Sequence, residues 1–172
     1  MDRHTKEILE LLETAGLGLR ALLTRLTQRE DVASDLMQDL FLTLYKSNGY
    51  RRADNPRTYA YQTAIHLACK WRTSSNRNPQ TKALVEEPTR NAPAPLNKLI
   101  QAEELEHVLA AIYELKEPYR YAMVMHWVQQ QPYEAIADEL GKTTHQVRAL
   151  CHRAISQVRS LLNQTISTRQ DR

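Results

Sequence analysis

A glycine near the end of the chain is followed by polar and basic residues in a pattern that suits contact with a nucleic acid. Gly141 can end one helix in a left-handed conformation, and Thr143 or Thr144 can cap the next. A helix of this kind can enter a major groove, where its first turns reach base edges and its arginines hold phosphates. The alternative is a plain helical hairpin. Its candidate contact residues are Thr143, Thr144, His145, Gln146, Arg148, His152 and Arg153.

A second polar set lies between residues 48 and 66 and mixes aromatic rings with guanidinium groups. Such planes stack on unpaired bases while neighbouring cations follow the backbone, which suits melted single-stranded DNA. The alternative is a mobile polar loop on a helical bundle. The candidates are Asn48, Tyr50, Arg51, Arg52, Asn55, Arg57, Tyr61, Gln62 and His66.

A third set is acidic and precedes the other two. Asp35, Gln38, Asp39 and Leu42 share the face of a predicted helix that lies opposite its apolar stripe. Acidic groups around an exposed leucine make a poor surface for DNA and a reasonable one for a basic protein partner. An ordinary solvated face is the alternative.

In the first half of the chain, the sequence predicts helices that position the acidic set and the set between residues 48 and 66. Apolar residues at helical spacing predict two packed helices, and turn-forming residues then fill positions 47–55. Pro56 suits the start of a third helix that runs to about Thr73. The predicted core residues are Leu19, Leu22, Leu23, Leu26, Val32, Leu36, Leu40, Leu44, Tyr59, Ala60, Ala64, Leu67, Ala68 and Trp71.

The second half shows the same periodicity. One helix precedes a restart at Pro118, and the run 133–140 forms a short amphipathic helix before the glycine turn and the last helix. The predicted core residues are Leu105, Val108, Leu109, Ile112, Ala122, Val124, Met125, Val128, Ile136, Ala137, Leu140, Val147, Cys151, Ala154, Val158 and Leu161.

Composition and breaks in the pattern predict an all-α fold of two small helical domains. Only four glycines occur, and runs rich in β-branched residues are missing. Residues 74–96 lose the helical period and collect four prolines among polar residues, which predicts a flexible linker. The predicted domains are therefore 1–73 and 97–172.

Charge is distributed unevenly although the net value is only +3. Basic minus acidic residues number 5 minus 8 in 1–45, 9 minus 3 in 46–90, 3 minus 8 in 91–140 and 6 minus 1 in 141–172. Two separate basic segments suit a protein that touches a phosphate backbone at two places, although ordinary surface charge would give a similar pattern.

The remaining motifs do not indicate an enzyme. Gly141-Lys142-Thr143 resembles the end of a phosphate-binding loop, but Ile136 stands where its first glycine belongs. Neither cysteine has a second ligand pair at zinc spacing, and Gly16-Leu17-Gly18 lacks a third glycine. We expect no catalytic residue, metal, cofactor or small-molecule substrate.

The sequence also predicts a cytoplasmic location. It contains neither an apolar run long enough to cross a bilayer nor a signal peptide at its start, so we expect no direct membrane insertion. Cys69 and Cys151 are expected to be buried thiols without a disulfide.

These residues resemble the extracytoplasmic-function (ECF) sigma factors of the sigma-70 family, in the right order across nearly the whole chain. The run DVASDLMQDLF at 31–41 is similar to the polymerase-binding signature of sigma domain 2, and NPRTYAYQTA at 55–64 to its promoter-melting helix. Sigma domain 4 is resembled by LKEPYR at 115–120, by YEAIADELG at 133–141 and by the helix that follows.

The resemblance implies a role and partners for each set. Core RNA polymerase would bind the acidic set, Asp35, Gln38, Asp39 and Leu42. The chain would contact the beta and beta-prime subunits of the polymerase. The 48–66 set would capture the minus-ten element, and the helix after Gly141 would read the minus-thirty-five element of promoter DNA. Many relatives are inhibited by an anti-sigma factor, and the short segment before Asn55 is compatible with the iron-uptake branch.

Several positions depart from the usual pattern of this family. Gln62 and Ile65 stand where basic residues are frequent, Lys70 replaces an aspartate, Leu150 an arginine and Pro132 a serine. These departures bear on promoter sequence and strength. They do not threaten the predicted fold, because every core stripe is intact.

Two other functions remain open from the residues alone. A two-domain transcription regulator would bind duplex DNA without polymerase and would not need the acidic face at Asp35. A protein-interaction adaptor that has lost DNA binding would keep that face only.

Overall fold

The structure is a computed structural model that describes the backbone of residues 3–77 and 95–170, and the side chains of 3–74 and 104–165. The elements of these ranges are all helical, which confirms the all-α prediction. They are α1 (Arg3–Thr27), α2 (Glu30–Lys46), α3 (Asn48–Arg51), α4 (Pro56–Arg77), α5 (Pro95–Glu114), α6 (Tyr119–Met123), a π-helical turn (Val124–Val128), α7 (Tyr133–Leu140) and α8 (Thr144–Gln170).

The first half is a bundle in which α1, α2 and α4 pack against one another. Both predicted leucine-rich stripes of α1 and α2 are buried, as are Ala60, Ala64 and Ala68 of α4. Arg72 of α4 donates hydrogen bonds to the carbonyl oxygens of Leu26 and Thr27, both at 3.1 Å, and so satisfies the last turn of α1. The predicted three-helix core of this half is therefore confirmed.

The segment predicted as a turn, 47–55, contains one helical turn. The Ser47 hydroxyl accepts a hydrogen bond from the backbone N–H of Tyr50 at 3.1 Å and begins α3 as its cap. The Tyr50 ring is thereby directed into the core, where it packs near His4 and Tyr59. Turn-forming residues thus produced a short capped helix here.

The second half is built around α8, against which α5, α6 and α7 pack. The predicted core residues Leu109, Ile112, Ile136, Val147, Ala154 and Val158 are buried. Leu105 is an exception, because 36% of it is exposed. Cys69 and Cys151 are both buried free thiols.

The predicted linker is helical at both ends. Helix α4 continues to Arg77 and α5 begins at Pro95, because helical structure extends past the last and before the first strongly apolar positions of each half. The rest of the predicted linker lies outside the described residues. Among those that are described, no helix is both long and apolar enough to cross a bilayer.

The two halves contact each other, an arrangement that the sequence did not predict. Helix α5 packs against α4 as well as α8, and buried residues of both halves belong to one apolar cluster. The hydrogen bonds and ring contacts across this boundary join Arg25 with Val128 and Gln129, Gly18 with Gln129, Thr58 with Glu139, and His66 with Tyr113.

Candidate protein and nucleic-acid interfaces

The acidic set lies on one exposed face of α2, which we call the docking face and define by Asp35, Gln38, Asp39 and Leu42. All four residues are exposed, with 48% of Leu42 accessible. The opposite face of the same helix buries Leu36 and Leu40 completely or nearly so. Within the part of the chain that the structure describes, the docking-face side chains make no hydrogen bond or ion pair, so their polar groups are available to a partner.

A different acidic residue on this helix is already paired. Asp31, in the first turn of α2, forms an ion pair with Arg29, whose guanidinium is its hydrogen-bond donor. That contact lowers the pKa of the Asp31 carboxyl. The docking face thus begins one turn after Asp31, whose charge is neutralised by Arg29 of the same chain.

The second predicted set divides into exposed cations and buried rings. Asn48, Arg51, Arg52 and Arg57 are exposed around α3 and the start of α4. Asn55 has a local structural role, because its side-chain oxygen accepts the backbone N–H of Thr58 at 3.0 Å and caps α4. This surface can neutralise phosphates in the conformation described.

The two tyrosines of this set are not available for stacking in that conformation. Tyr50 and Tyr61 are each only 4% exposed. Burial raises the pKa of the Tyr50 hydroxyl, while Tyr61 lies under the guanidinium of Arg57, 5.8 Å from its ring centroid. Base stacking by either ring would require local movement, because aromatic side chains can stack only where their faces are open.

One further residue of this set, His66, contacts the second half of the chain. Gln62 is half-buried, Ile65 is fully buried, and the exposed edge of His66 contacts the ring of Tyr113 at a centroid distance of 6.0 Å. Burial and the nearby charges of Arg120 and Lys70 lower the pKa of His66. Sequence periodicity could not reveal this contact, because Tyr113 is about 50 positions away from His66.

A polar cluster holds the boundary between the halves. The Thr58 hydroxyl donates to the carbonyl oxygen of Glu139 at 3.2 Å, and the Tyr121 hydroxyl donates to the Glu139 carboxylate at 2.6 Å. Burial, followed by the Glu139 carboxylate, raises the pKa of Tyr121. The sequence does not indicate this role for Thr58, since a threonine in the first turn of a helix carries no sign of a distant partner.

The glycine turn has the predicted geometry. Gly141 has φ 62° and ψ 37°, the left-handed conformation that glycine adopts without a steric penalty. Thr143 and Gln146 then cap α8 reciprocally. The Thr143 hydroxyl accepts the Gln146 N–H at 3.2 Å, and the Gln146 side chain accepts the Thr143 N–H at 2.9 Å.

The first turns of α8 present the third predicted set to the outside. Thr143, His145, Gln146, Arg148, His152 and Arg153 are exposed, and Thr144 is half-buried. The interior face buries Val147, Cys151 and Ala154. The residues predicted to read a duplex therefore lie on one accessible side of one helix, next to its electropositive N-terminus.

Two aromatic neighbours of this helix were not predicted. The Arg148 guanidinium lies over the ring of Tyr133, 5.5 Å from its centroid. The His126 ring stacks on Tyr133 with centroids 4.1 Å apart and planes inclined by 20°. These contacts depend on how the turn folds, so residue spacing alone gave no signal for them.

Among the described residues, no group of three or more His, Cys, Asp and Glu side chains is placed to hold a metal ion. Their surfaces suit recognition by charge and hydrogen bonding. One face is acidic, one is basic beside α4, and one is basic on α8.

A comparison with known protein families matches the first half of the chain. Residues 11–78 match the family model described as Sigma-70 region 2. The match contains the docking face, α3 and the whole of α4.

A curated relative extends the similarity into the second half. The chain is 26% identical over 143 residues to the ECF RNA polymerase sigma-E factor of Haemophilus influenzae, covering 77% of this chain and 75% of that protein.

A solved structure has a weaker likeness. It is the sigma factor RpoE of Bartonella quintana in complex with the anti-sigma factor NepR, at 20% identity and a TM-score of 0.44, covering 92% of this chain and 98% of that one. A TM-score of this size carries no argument about function.

Proposed function

We propose that this chain is an ECF sigma factor, which binds core RNA polymerase and directs it to promoters without catalysing a reaction itself. The match of residues 11–78 to Sigma-70 region 2 carries the proposal. The capped helix-turn-helix in the other half, with its exposed polar face, supplies the second DNA-binding surface that such a protein needs.

The docking face is proposed to bind the polymerase. Its carboxylates are exposed and unpaired within the described residues, and the exposed Leu42 adds apolar area at its end. Acidic groups around an apolar contact give electrostatic specificity toward a basic surface. The beta-prime subunit would receive this face, while the second half would lie nearer the beta subunit.

The two basic surfaces are proposed to bind different parts of a promoter. Arg51, Arg52 and Arg57, with Asn48, would hold the melted minus-ten strand by its phosphates. The outer face of α8 would read the minus-thirty-five duplex. A promoter spans both, so each surface gains effective concentration once the other is bound.

Use of the aromatic part of the minus-ten surface requires local opening. Tyr61 is buried and His66 contacts Tyr113 of the second half, so the Tyr61 ring cannot stack on a base in the arrangement described. The boundary combines the apolar packing of α5 against α4 with hydrogen bonds at Thr58 and Gly18. Interfaces between domains of one chain commonly allow relative motion. We propose that the closed arrangement is the free form and that polymerase and promoter hold the open one.

The decisive experiment adds the purified chain to core polymerase and sequences the transcripts that start on genomic DNA. New start sites that share spaced minus-thirty-five and minus-ten sequences are expected. Start sites in front of iron-uptake genes would favour the iron-uptake branch. Transcripts identical to those of core enzyme alone would refute the proposal.

A binding measurement distinguishes this function from a conventional DNA-binding regulator. The free chain is expected to bind promoter duplex weakly at physiological salt, because only the outer face of α8 is proposed to read duplex and no polymerase is present to add a second contact. Nanomolar, sequence-specific binding by the chain alone would support the regulator instead.

The remaining partners follow from the same proposal. An anti-sigma factor would act in the cytoplasm, where the polymerase is found, by covering the docking face or by holding the halves closed. Co-purification of the tagged chain from its own cells, followed by mass spectrometry, would identify that protein. Recovery of polymerase alone under uninduced conditions would count against an anti-sigma partner.

A further inference from the structure

Tyr133 holds together three elements of the second half. It is the first residue of α7, its ring is half-buried, and it contacts the π-helical turn on one side of the sequence and α8 on the other. The contact with the turn is the stacked His126 ring, and the contact with α8 is the guanidinium of Arg148.

The tyrosine ring is itself held in place. The Nδ1 atom of His126 lies 2.9 Å from the carbonyl oxygen of Gln131, within hydrogen-bond distance, so the imidazole orientation is fixed by the backbone. The stacking distance of 4.1 Å between the two rings leaves no room for another group. Tyr133 is therefore stacked on an oriented imidazole beside the recognition helix.

Arg148 is the side chain of α8 that the Tyr133 ring contacts. It is exposed on α8, one residue after the buried Val147, and a long exposed arginine samples many rotamers. A contact of the guanidinium with an aromatic ring reduces that freedom and leaves the N–H groups at its edge able to donate. Less rotational freedom is then lost when the arginine forms a bidentate contact with a base or a phosphate.

We propose that Tyr133 is a positioning residue, which orients Arg148 for contact with duplex DNA and thereby sets part of the sequence preference. The inference rests on the proposed function and deepens it. Tyr133 acts through Arg148 and does not need to touch DNA itself.

A double-mutant cycle tests this dependence, using the full chain assembled with core polymerase. Tyr133→Leu, Arg148→Ala, the double variant and Tyr133→Phe are compared for promoter affinity and for transcription from a minus-thirty-five element varied one base pair at a time. Tyr119→Leu removes another half-buried tyrosine of the same half and serves as the matched control.

The expected loss for Tyr133→Leu is about 2- to 5-fold in promoter affinity, the size of an exposed cation–π contact. Tyr133→Phe should behave as the wild type, because it keeps the ring. In the Arg148→Ala background, Tyr133→Leu should cause no further loss. Both single variants should relax discrimination at the same base pair, whereas Tyr119→Leu should leave the base preference unchanged.

An equal loss from Tyr133→Leu in both backgrounds would overturn the inference, because the tyrosine would then act on stability alone. Relaxed discrimination at a different base pair would overturn it as well. Failure of the wild-type chain to direct any transcription would instead refute the proposed function. Thermal unfolding of each variant identifies a general loss of fold. If Tyr133→Leu unfolds, Tyr133→Met replaces it in the cycle, because methionine fills the space of the ring without its aromatic face.

Discussion

The hydroxyl of Thr58 donates a hydrogen bond to the carbonyl oxygen of Glu139, 81 residues further along the chain, at 3.2 Å. Thr58 is in the first turn of α4, and Glu139 is near the end of α7. The bond therefore joins the two regions that we propose to bind separate promoter elements. Removing this bond should therefore promote separation of the halves, which can be measured.

The first prediction uses Cys69 as a reporter of that separation. Cys69 is 3% exposed, and burial raises the pKa of its thiol to about 11, with nearby Arg120 and Glu117 also acting on it. Thiolate is the reactive form, so labelling at pH 8 should proceed through opened molecules. Thr58→Val combined with Gln129→Ala should raise the Cys69 labelling rate about tenfold, as expected for a loss of about 1.4 kcal/mol.

Cys151 is the internal control for this measurement. It is buried within the second half, where its sulfur lies 3.6 Å from the carbonyl oxygen of Ala122. Its labelling should not change in the double variant. Equal acceleration at both cysteines would indicate general unfolding and would count against an opening between the halves.

The second prediction concerns the docking face. Asp35→Arg with Asp39→Arg should abolish binding to core polymerase while the helical content stays unchanged, because both residues are exposed and no core residue is altered. Co-purification with core enzyme provides the measurement. Glu10→Arg with Glu13→Arg reverses the same charge on the exposed side of α1 and should leave binding intact. Wild-type recovery of the Asp35 and Asp39 variant would show that the docking assignment is wrong.

The third prediction separates the two DNA-binding surfaces. Arg51→Ala with Arg52→Ala should slow strand opening, whereas Arg148→Ala should weaken use of the minus-thirty-five element by about 1 to 3 kcal/mol if its contact is to a base. On a template already mismatched across the minus-ten region, the loop variant should recover most of its activity and the Arg148 variant should not. Equal rescue of both would contradict the division.

The fourth prediction compares two glycines of α1. A Cβ at Gly16 would meet nothing within 4 Å, so Gly16→Ala should raise the free energy of unfolding by about 0.5 to 1 kcal/mol through helix propensity. A Cβ at Gly18 would collide with the hydroxyl of the buried Tyr61. Gly18→Ala should therefore lower stability by about 1 to 3 kcal/mol. Thermal unfolding should show midpoints moving in opposite directions.

Tyr61→Phe provides the control for that comparison. It removes the oxygen that the new methyl group would meet and leaves the ring, so it should restore much of the stability lost in Gly18→Ala. If Tyr61→Phe rescues nothing, the contact between α1 and α4 at this point is not as described.

Much of this architecture could be predicted because its cause is local. The stripes of α1 and α2 bury Leu22 and Leu40 as their spacing requires, and Gly141 with Thr143 forms the turn that their residue types favour. Each of these features depends on residues within a few turns of one another.

The rest depended on contacts between distant residues. The sequence predicts Tyr61 on an open DNA surface, yet it is buried with its hydroxyl beside Gly18. The sequence predicts Tyr50 in a polar loop, yet the Ser47 cap turns its ring inward. Burial of an aromatic ring on a polar face is set by what packs against it, and periodicity contains no information about that partner.

The docking face has a consequence for the order of events. Asp35, Gln38, Asp39 and Leu42 are exposed while the halves are closed, whereas the surface of α4 near Tyr61 is covered. Polymerase could therefore capture the chain before the Tyr61 ring is open to a base. Docking would come first and strand capture second, so a molecule that has not yet met polymerase would be kept from occupying single-stranded DNA elsewhere in the genome.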